Sequence, residues 1–291
     1  MSNNKNIGVI GAGSMGMAIA LNLQDKGYQV AIRDIRADIE TSARNSGLTV
    51  AASPADIAAF ADFIIIMVVN AKQTTEVLFG ERGVTSAGIA GKTILLCPTI
   101  APEDTEAIAQ RLQSARCDVL DGPVSGGPVR ARDGTMSLML AGDGAVITRH
   151  AAVLNAISSR LFRLGERIGD GARYKLVNNL VAGMNLIASS SAVALGVKMG
   201  LDPQTLVSLM SASSGQSMML DDRLTRAIAN DYAPRAYAYI LTKDVALGLD
   251  MAESAHVDMP MAKHALEIFT ATLARGYDEL DDAAVLKTLL E

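Results

Sequence analysis

Short apolar runs alternate with amphipathic stretches through the first half of the chain. The amphipathic stretches are rich in alanine, as in 17–25 and 102–114. Near-continuous apolar runs are typical of parallel strands covered on both faces, and their alternation with helices predicts a doubly wound α/β domain. The runs lie at 7–10, 30–32, 63–69, 93–96, 119–120, 137–140 and 161–164.

The pattern changes after about residue 165, where strand signals stop and helical segments continue towards the C-terminus. We therefore predict two domains, an α/β domain at 1–164 and an all-α domain at 165–291. A long interdomain helix at about 171–199 would join them. The predicted helices of the second half are 171–199, 203–211, 220–230, 242–255 and 260–275.

The long predicted helix raises the question of a membrane span. Residues 176–197 carry no charged side chain, and a run of about 20 apolar residues is long enough to cross a bilayer of about 30 Å. The run nevertheless contains the amides of Asn178, Asn179 and Asn185. Because such groups are costly in hydrocarbon, we expect a helix buried inside the protein and no association with a membrane.

Composition excludes further classes of function. The chain has 26 Lys and Arg against 31 Asp and Glu, a formal charge of −5, which argues against sequence-independent binding of nucleic acid. The two cysteines, Cys97 and Cys117, rule out a disulfide framework and are expected to be buried thiols. The N-terminal segment lacks the features of a signal peptide. We expect a cytoplasmic protein.

The strongest local motif is a glycine-rich turn between the first predicted strand and the first predicted helix, Gly11-Ala12-Gly13-Ser14-Met15-Gly16. Gly11 permits the tight turn, Gly13 lets a pyrophosphate approach the backbone, and Gly16 allows close packing of helix on strand. The phosphates would lie at the helix N-terminus. The sequence thus predicts an α/β Rossmann-type dinucleotide-binding domain followed by an all-α domain.

The type of dinucleotide depends on the end of the second predicted strand. Asp34 lies there, and an acidic side chain at this position accepts hydrogen bonds from the ribose hydroxyls of NAD and repels the 2′-phosphate of NADP. Ile35 offers no charge to that phosphate, whereas Arg33 and Arg36 lie near enough to leave NADP open. We predict NAD as the cofactor, with NADP as the alternative.

A second constellation lies near the predicted domain junction. Lys175 and Asn179 are four residues apart and share one face of the long helix. Upstream, residues 121–127 form a glycine-rich turn after a strand, where Ser125 and backbone N–H groups suit a carboxylate. The histidines lie outside these clusters, and no metal site is predicted.

The motifs together resemble the β-hydroxyacid dehydrogenase family of 3-hydroxyisobutyrate dehydrogenase-like enzymes, and the likeness covers essentially the whole chain. It rests on the turn at 11–16, on 121–127, on 169–179 and on Lys243-Asp244. The resemblance implies that Lys175 is the catalytic acid/base and that Ser125, Gly126 and Asn179 hold the substrate. We expect the Gly127 amide to join them in binding a carboxylate.

On the cofactor side, the resemblance implies that Thr99 contacts the nicotinamide end and that Lys243 closes over the bound dinucleotide. Asn70 belongs to the cofactor loops too, at a position where the family often has proline. Leu96 and Pro98 also depart from the usual pattern, in place of Asp and Ser. These departures concern cofactor affinity rather than the reaction class.

The hypothesis is reversible NAD-dependent hydride transfer on a short 3-hydroxy acid or the matching semialdehyde. The related imine reductases usually replace the lysine, so Lys175 favours hydroxyl and carbonyl chemistry. The alternatives are an NADP-preferring semialdehyde reductase of the same superfamily and a catalytically silent NAD-binding module. A small carboxylate is the expected partner, and family members are commonly homodimers or homotetramers.

Overall fold

The structure is a computed structural model and describes residues 6–291. The chain divides by its contacts into two compact units, the first ending at Lys175 and the second running from Leu176 to Glu291. The division falls within one long helix. The predicted boundary between residues 164 and 165 lies shortly before that helix and stays a prediction.

The first unit is built on a parallel six-stranded sheet of order β3-β2-β1-β4-β5-β6. This is the doubly wound order, in which the direction of winding reverses between β1 and β4, and ligands bind where the carboxyl ends of those strands meet. The strands are β1 (Asn6–Ile10), β2 (Gln29–Arg33), β3 (Thr49–Val50), β4 (Phe63–Ile66), β5 (Thr93–Leu96) and β6 (Asp118–Asp121).

A smaller sheet of order β7-β8-β9 follows, in which β8 pairs antiparallel with β7 and parallel with β9. An isolated bridge between Asp121 and Ala141 connects the end of β6 to the residue after β8. The two sheets are therefore tied together at Asp121. The strands are β7 (Val124–Ser125), β8 (Ser137–Leu140) and β9 (Arg160–Arg163).

Helices cover both faces of the large sheet, which explains why its central strands are apolar throughout. All four residues of β4 and all four of β5 are buried, as expected for strands packed on two sides. The helices of this unit are α1 (Ser14–Asp25), α2 (Ala37–Asn45), α3 (Pro54–Phe60), α4 (Ala71–Phe79), α5 (Pro102–Ser114), α6 (Gly127–Arg132), α7 (Gly144–Arg149) and α8 (Ala151–Ile157).

The helix α9 (Asp170–Lys198) is 29 residues long and begins in the first unit. Its length and mean hydropathy would suffice for a bilayer span, but half of its most apolar window is buried within the protein. Core helices of water-soluble proteins have the same properties. The helix also exposes Val177, Val181 and Leu195, so the expectation of a helix buried inside the protein stays a prediction.

The second unit is helical, and its core centres on Phe269, Leu186 and Val245. A π-helical turn at Leu220–Leu224 leads directly into α11. The helices are α10 (Pro203–Ser211), α11 (Thr225–Ile228), α12 (Ala238–Ser254), α13 (Pro260–Ala274) and α14 (Val285–Leu290). The prediction of an α/β unit followed by a helical unit is confirmed.

Candidate active site

The glycine-rich turn between β1 and α1 has the conformation that the motif requires. Gly11 adopts φ of +89°, and a Cβ there would lie 2.4 Å from the carbonyl oxygen of Met67. A Cβ on Gly16 would lie 1.9 Å from the carbonyl oxygen of Gly11. Neither position has room for a side chain, because the turn packs directly on the loop after β4 and on itself.

The space over the turn is open at the position where a pyrophosphate would approach. A Cβ on Gly13 would meet nothing within 4 Å. Gly13 is the N-cap of α1 and has no side chain that could accept hydrogen bonds from the helix N–H groups. The first turn of the helix, which begins with Ser14 and Met15, carries no acidic residue. These residues fit an anion at the helix N-terminus, so the turn can hold a dinucleotide.

Asp34, directly after β2, is tied to the same turn. Its Oδ2 accepts the N–H of Ala12 at 2.7 Å, and its Oδ1 accepts the N–H of Arg36 at 3.0 Å. The side chain of Arg33 is engaged by Glu40 and by the carbonyl of Asp34. The structure thus brings the predicted ribose-binding carboxylate next to the predicted phosphate turn.

Asn70 and Thr99 lie in the loops that follow β4 and β5, at the same edge of the parallel sheet as the glycine-rich turn. Asn70 caps α4, with its Oδ1 accepting the N–H of Gln73 at 2.8 Å. Thr99 is half-buried between β5 and the start of α5. Both predicted cofactor residues therefore belong to the edge where doubly wound sheets bind their ligands.

The predicted substrate turn combines a short strand with two glycines in unusual conformations. Ser125 ends β7 and pairs with Ser137 of β8. Gly126 adopts φ of +137° and Gly127 adopts φ of +72°, values that favour glycine over other residues. Gly127 begins α6, and a Cβ on it would meet nothing within 4 Å. The turn places the Ser125 hydroxyl next to the backbone of Gly126 and Gly127, and all three residues are half-buried.

Lys175 lies in the second turn of α9, and only 8% of its surface is exposed. The first turn of this helix is capped by a buried carboxylate. Oδ2 of Asp121 accepts the N–H of Gly169 at 2.9 Å and that of Ala172 at 3.3 Å. Burial raises the pKa of Asp121 to about 6, and the backbone N–H groups of Ala172, Gly169 and Gly171 act in the opposite direction.

In the second unit, Asn179 and Lys243 meet through a shared partner. The Asn179 amide donates to Oδ2 of Asp244 at 2.6 Å, and the Lys243 ammonium donates to Oδ1 of Asp244 at 2.6 Å. Asp244 is 3% exposed, and Oδ1 of Asn179 accepts the amide of Asn178 at 3.1 Å. A buried carboxylate thus holds two predicted site residues from different helices in one network.

Sequence reasoning assigned no role to Asp121 or Asp244, although both belong to motifs on which the resemblance rests. Asp121 bonds a residue 48 positions away, and Asp244 bonds one 65 positions away. Spacing along the chain does not reveal such contacts. The only sequence features that could have drawn attention to them are that Asp121 directly follows an apolar run and that Asp244 directly follows Lys243. Within residues 6–291, no cluster of three or more histidine, cysteine or acidic side chains could hold a metal ion.

Comparison with known proteins supplies the family. Residues 6–165 match the family described as the NAD binding domain of 6-phosphogluconate dehydrogenase. Residues 169–289 match the one described as NAD-binding of NADP-dependent 3-hydroxyisobutyrate dehydrogenase. L-threonate dehydrogenase of Cupriavidus necator is 35% identical over 98% of this chain and 96% of its own length. The chain belongs to the β-hydroxyacid dehydrogenase family.

Other members of this family show the same agreement over nearly their full length. The 2-hydroxy-3-oxopropionate reductase of Escherichia coli is 31% identical over 97% of this chain and 96% of its own. The crystal structure of a 3-hydroxyisobutyrate dehydrogenase from Salmonella typhimurium superposes with a TM-score of 0.91 at 33% identity, covering 97% of this chain and 99% of that one. The chain is accordingly a hydroxyacid dehydrogenase that transfers hydride to or from a nicotinamide dinucleotide.

Proposed function

We propose that this dehydrogenase uses NAD to oxidise a short 3-hydroxy acid, or to reduce the matching semialdehyde, with Lys175 as the general acid/base. The observation that carries the proposal is a lysine held 8% exposed near the start of a helix that has no further charge over residues 176–197. Burying an ammonium group is costly, and buried titratable groups in ligand-binding regions are often functional.

The substrate carboxylate would bind at the turn of Ser125, Gly126 and Gly127. The hydroxyl of Ser125 and the N–H groups of the two glycines are donors suited to an anion, and the positive φ angles of both glycines shape that turn. Anchoring the carboxylate at one end determines how far along the substrate the reacting carbon lies. This favours short acids over long ones.

The bound dinucleotide would supply the hydride acceptor in oxidation, as NAD⁺, and the hydride donor in reduction, as NADH. The chain's own part is to move the proton: Lys175 removes it from the substrate hydroxyl in oxidation and returns it to the carbonyl oxygen in reduction. Asn179 would orient that oxygen or the carboxylate. Asp244 would hold Asn179 in place through the bond at 2.6 Å.

NAD is the proposed cofactor in preference to NADP. Support comes from Asp34, whose carboxylate is held against the phosphate-binding turn by the N–H of Ala12. Arg33 is paired with Glu40, which diminishes its capacity to receive a 2′-phosphate. Ile35 is 82% exposed and offers no charge. Lys243 and the loops of Asn70 and Thr99 are the other proposed cofactor contacts.

The substrate is best identified by a panel of acids. The relatives are named for L-threonate, 2-hydroxy-3-oxopropionate, 3-hydroxyisobutyrate and 2-(hydroxymethyl)glutarate. The panel consists of these four compounds with the oxidised partner of each hydroxy acid and the reduced partner of the aldehyde. NADH or NADPH absorbance is followed with each. We expect turnover of at least one short acid and a higher kcat/KM with NAD than with NADP.

The same panel tests the alternatives. A higher kcat/KM for the semialdehydes with NADPH than with NADH would overturn the proposed cofactor, but the proposed reaction class would stand. Binding of NADH without turnover of any compound would support a silent module. We further propose a cytoplasmic protein that forms a homodimer or homotetramer, which size measurements in solution would test.

A further inference from the structure

We propose that Asp121 is a positioning residue for hydride transfer: its carboxylate ties the first turn of α9, and with it Lys175, to the strand end that carries the substrate turn. The proposal rests on the proposed function, because it gives Lys175 the proton-transfer role. Asp121, Ser125 and Lys175 all lie in the first compact unit.

On the sheet side, the backbone of Asp121 is held by a neighbour in each of the two sheets. It pairs with Leu96 of β5 in the large sheet. It exchanges two hydrogen bonds with Ala141 of the small sheet, at 2.9 and 2.8 Å, and the next N–H, from Gly122, bonds the carbonyl of Leu96 at 2.8 Å. The position of this residue is therefore set by both sheets, and Ser125 follows only four residues later.

On the helix side, the carboxylate reaches the N–H groups of Gly169 and Ala172. Lys175 follows Ala172 by three residues, a little under one helical turn of about 3.6 residues. Gly171 makes the approach possible, since a Cβ there would lie 2.8 Å from both Cγ and Oδ1 of Asp121. A shift of this first turn would displace Lys175 with it, because the helix moves as a rigid body over so short a distance.

Other carboxylate caps in the chain show what an ordinary cap looks like. Asp143 bonds the N–H groups of Ala145 and Val146, and Asp202 bonds the N–H of Thr205, in both cases mainly at the surface. Asp121 is only 2% exposed. Burying a carboxylate costs free energy that a surface cap avoids. Asp281, another buried cap, is paired with the cation of Arg226. A buried cap held by backbone N–H groups therefore indicates a need for accurate placement of the helix.

Asp121→Asn tests the proposal with little change of shape. The amide oxygen can replace Oδ2, which accepts both N–H groups, but the NH₂ group then faces the N–H of Gly171, so the first turn should shift. We expect kcat per NADH-binding site to fall by about tenfold or more, since misplacement by about 1 Å can cost about 100-fold. The dissociation constant of NADH, measured by fluorescence, should stay within about twofold.

Gly171→Ala disturbs the same contact from the helix side while leaving the carboxylate in place, and its Cβ would also lie 2.8 Å from the carbonyl oxygen of Met139. It should produce the same loss of kcat with the same retention of NADH binding. Controls exist on α7, where Asp143→Asn makes the same change in an exposed cap and Gly144→Ala adds a Cβ that lies 4.0 Å from its nearest neighbour. Both controls should keep kcat within about twofold.

Lys175→Ala separates failure of this proposal from failure of the proposed function. If Asp121 acts through Lys175, Asp121→Asn should cause less than about twofold further loss in the Lys175→Ala background. Unchanged kcat per site in Asp121→Asn and Gly171→Ala, with Lys175→Ala inactive, would overturn the positioning role alone. A loss confined to the number of NADH-binding sites would also overturn it. Full turnover by Lys175→Ala would overturn the proposed function itself.

Discussion

The two compact units bury carboxylates in different surroundings. In the first, Asp121 accepts hydrogen bonds from the backbone N–H groups of Gly169 and Ala172. In the second, Asp281 and Asp282 are 0% and 2% exposed and face arginines, with Arg226 3.1 Å from Asp281 and Arg223 2.6 Å from Asp282. Backbone dipoles compensate a buried charge less completely than a full positive charge does.

From this difference we infer that the buried carboxylate of Asp121 contributes to turnover, whereas those of Asp281 and Asp282 contribute to stability. The arginine–aspartate cluster joins the π-helical turn and α11 to the 3₁₀ turn at Asp282–Ala284, so it links separate segments of the helical unit. Asp121 instead joins one strand end to the helix of the proposed acid/base. We therefore expect changes at Asp121 to lower turnover and changes in the arginine–aspartate cluster to lower stability.

Lys175→Met gives the largest expected effect. Loss of the proton-transfer group should lower kcat by roughly 100- to 10,000-fold. Replacing a buried charge by an apolar chain of similar length is often neutral or stabilising, so the free energy of unfolding should not fall. Steady-state turnover and urea unfolding measure the two quantities. A large loss of stability with little loss of turnover would contradict the assignment of Lys175 to turnover.

Arg223→Met should do the opposite in the second unit. It leaves Asp282 buried without its cation, which costs roughly 3–5 kcal/mol of unfolding free energy. Turnover per NADH-binding site should not change in the protein that remains folded. The control is Arg82→Met, which breaks an exposed pair with Asp56 and should cost at most about 1 kcal/mol. An equal cost in the two variants would contradict the assignment.

The stability of the wild type relative to Asp121→Asn should depend on pH in a defined direction. Burial raises the pKa of Asp121 from 3.8 to about 6 in the folded protein, and the negative charge of Asp170 adds to the effect. Arg173, the nearby cation of α9, is bonded to Asp170 and Glu106, and the buried thiol of Cys97 has a raised pKa. A raised carboxyl pKa means that the folded state holds the proton more tightly.

The stabilising contribution of Asp121 is therefore complete below about pH 4 and is lost as the pH rises through about 6. Relative to Asp121→Asn, the wild type should lose on the order of 2–3 kcal/mol across that range. Urea unfolding of both proteins at acid and neutral pH measures the difference. A wild type that gains stability relative to the variant as the pH rises would contradict the prediction.

Asp34→Ser should have the smallest effect and should change cofactor choice alone. Removal of the carboxylate lessens repulsion of a 2′-phosphate and weakens the hold on the ribose of NAD. The ratio of kcat/KM with NADP to that with NAD should rise by about tenfold, which corresponds to about 1.4 kcal/mol. The free energy of unfolding should change by less than in Arg223→Met. An unchanged ratio would remove Asp34 from cofactor selection.

Sequence patterns predicted most of the architecture because its central elements are uniformly apolar. The predictions at 93–96, 102–114, 137–140 and 203–211 coincide with β5, α5, β8 and α10. Two-residue strands such as β3 and β7 carry too few apolar positions to show a period. The predicted helix at 220–230 is a π-helical turn followed by α11, which ends at Ile228. Apolar spacing alone does not distinguish these forms.

The site was predictable where a local motif carries the chemistry, as in the turn at 11–16 and the bond between Ala12 and Asp34 that the structure adds to it. It was not predictable where two distant segments meet. The network of Asn179, Asp244 and Lys243 depends on the packing of α12 against α9. The capping of α9 by Asp121 depends on the end of β6 lying next to the start of the helix, 48 positions away in the sequence.

The most direct test of the central claim is a single-turnover measurement on Lys175→Ala. The variant is loaded with NADH, mixed with the semialdehyde that the wild type reduces, and followed by NADH absorbance. Lys175 as the proton donor predicts that bound NADH persists while the wild type consumes it completely. Consumption at the wild-type rate would show that another group moves the proton, and the account of α9 as the carrier of the acid/base would be wrong.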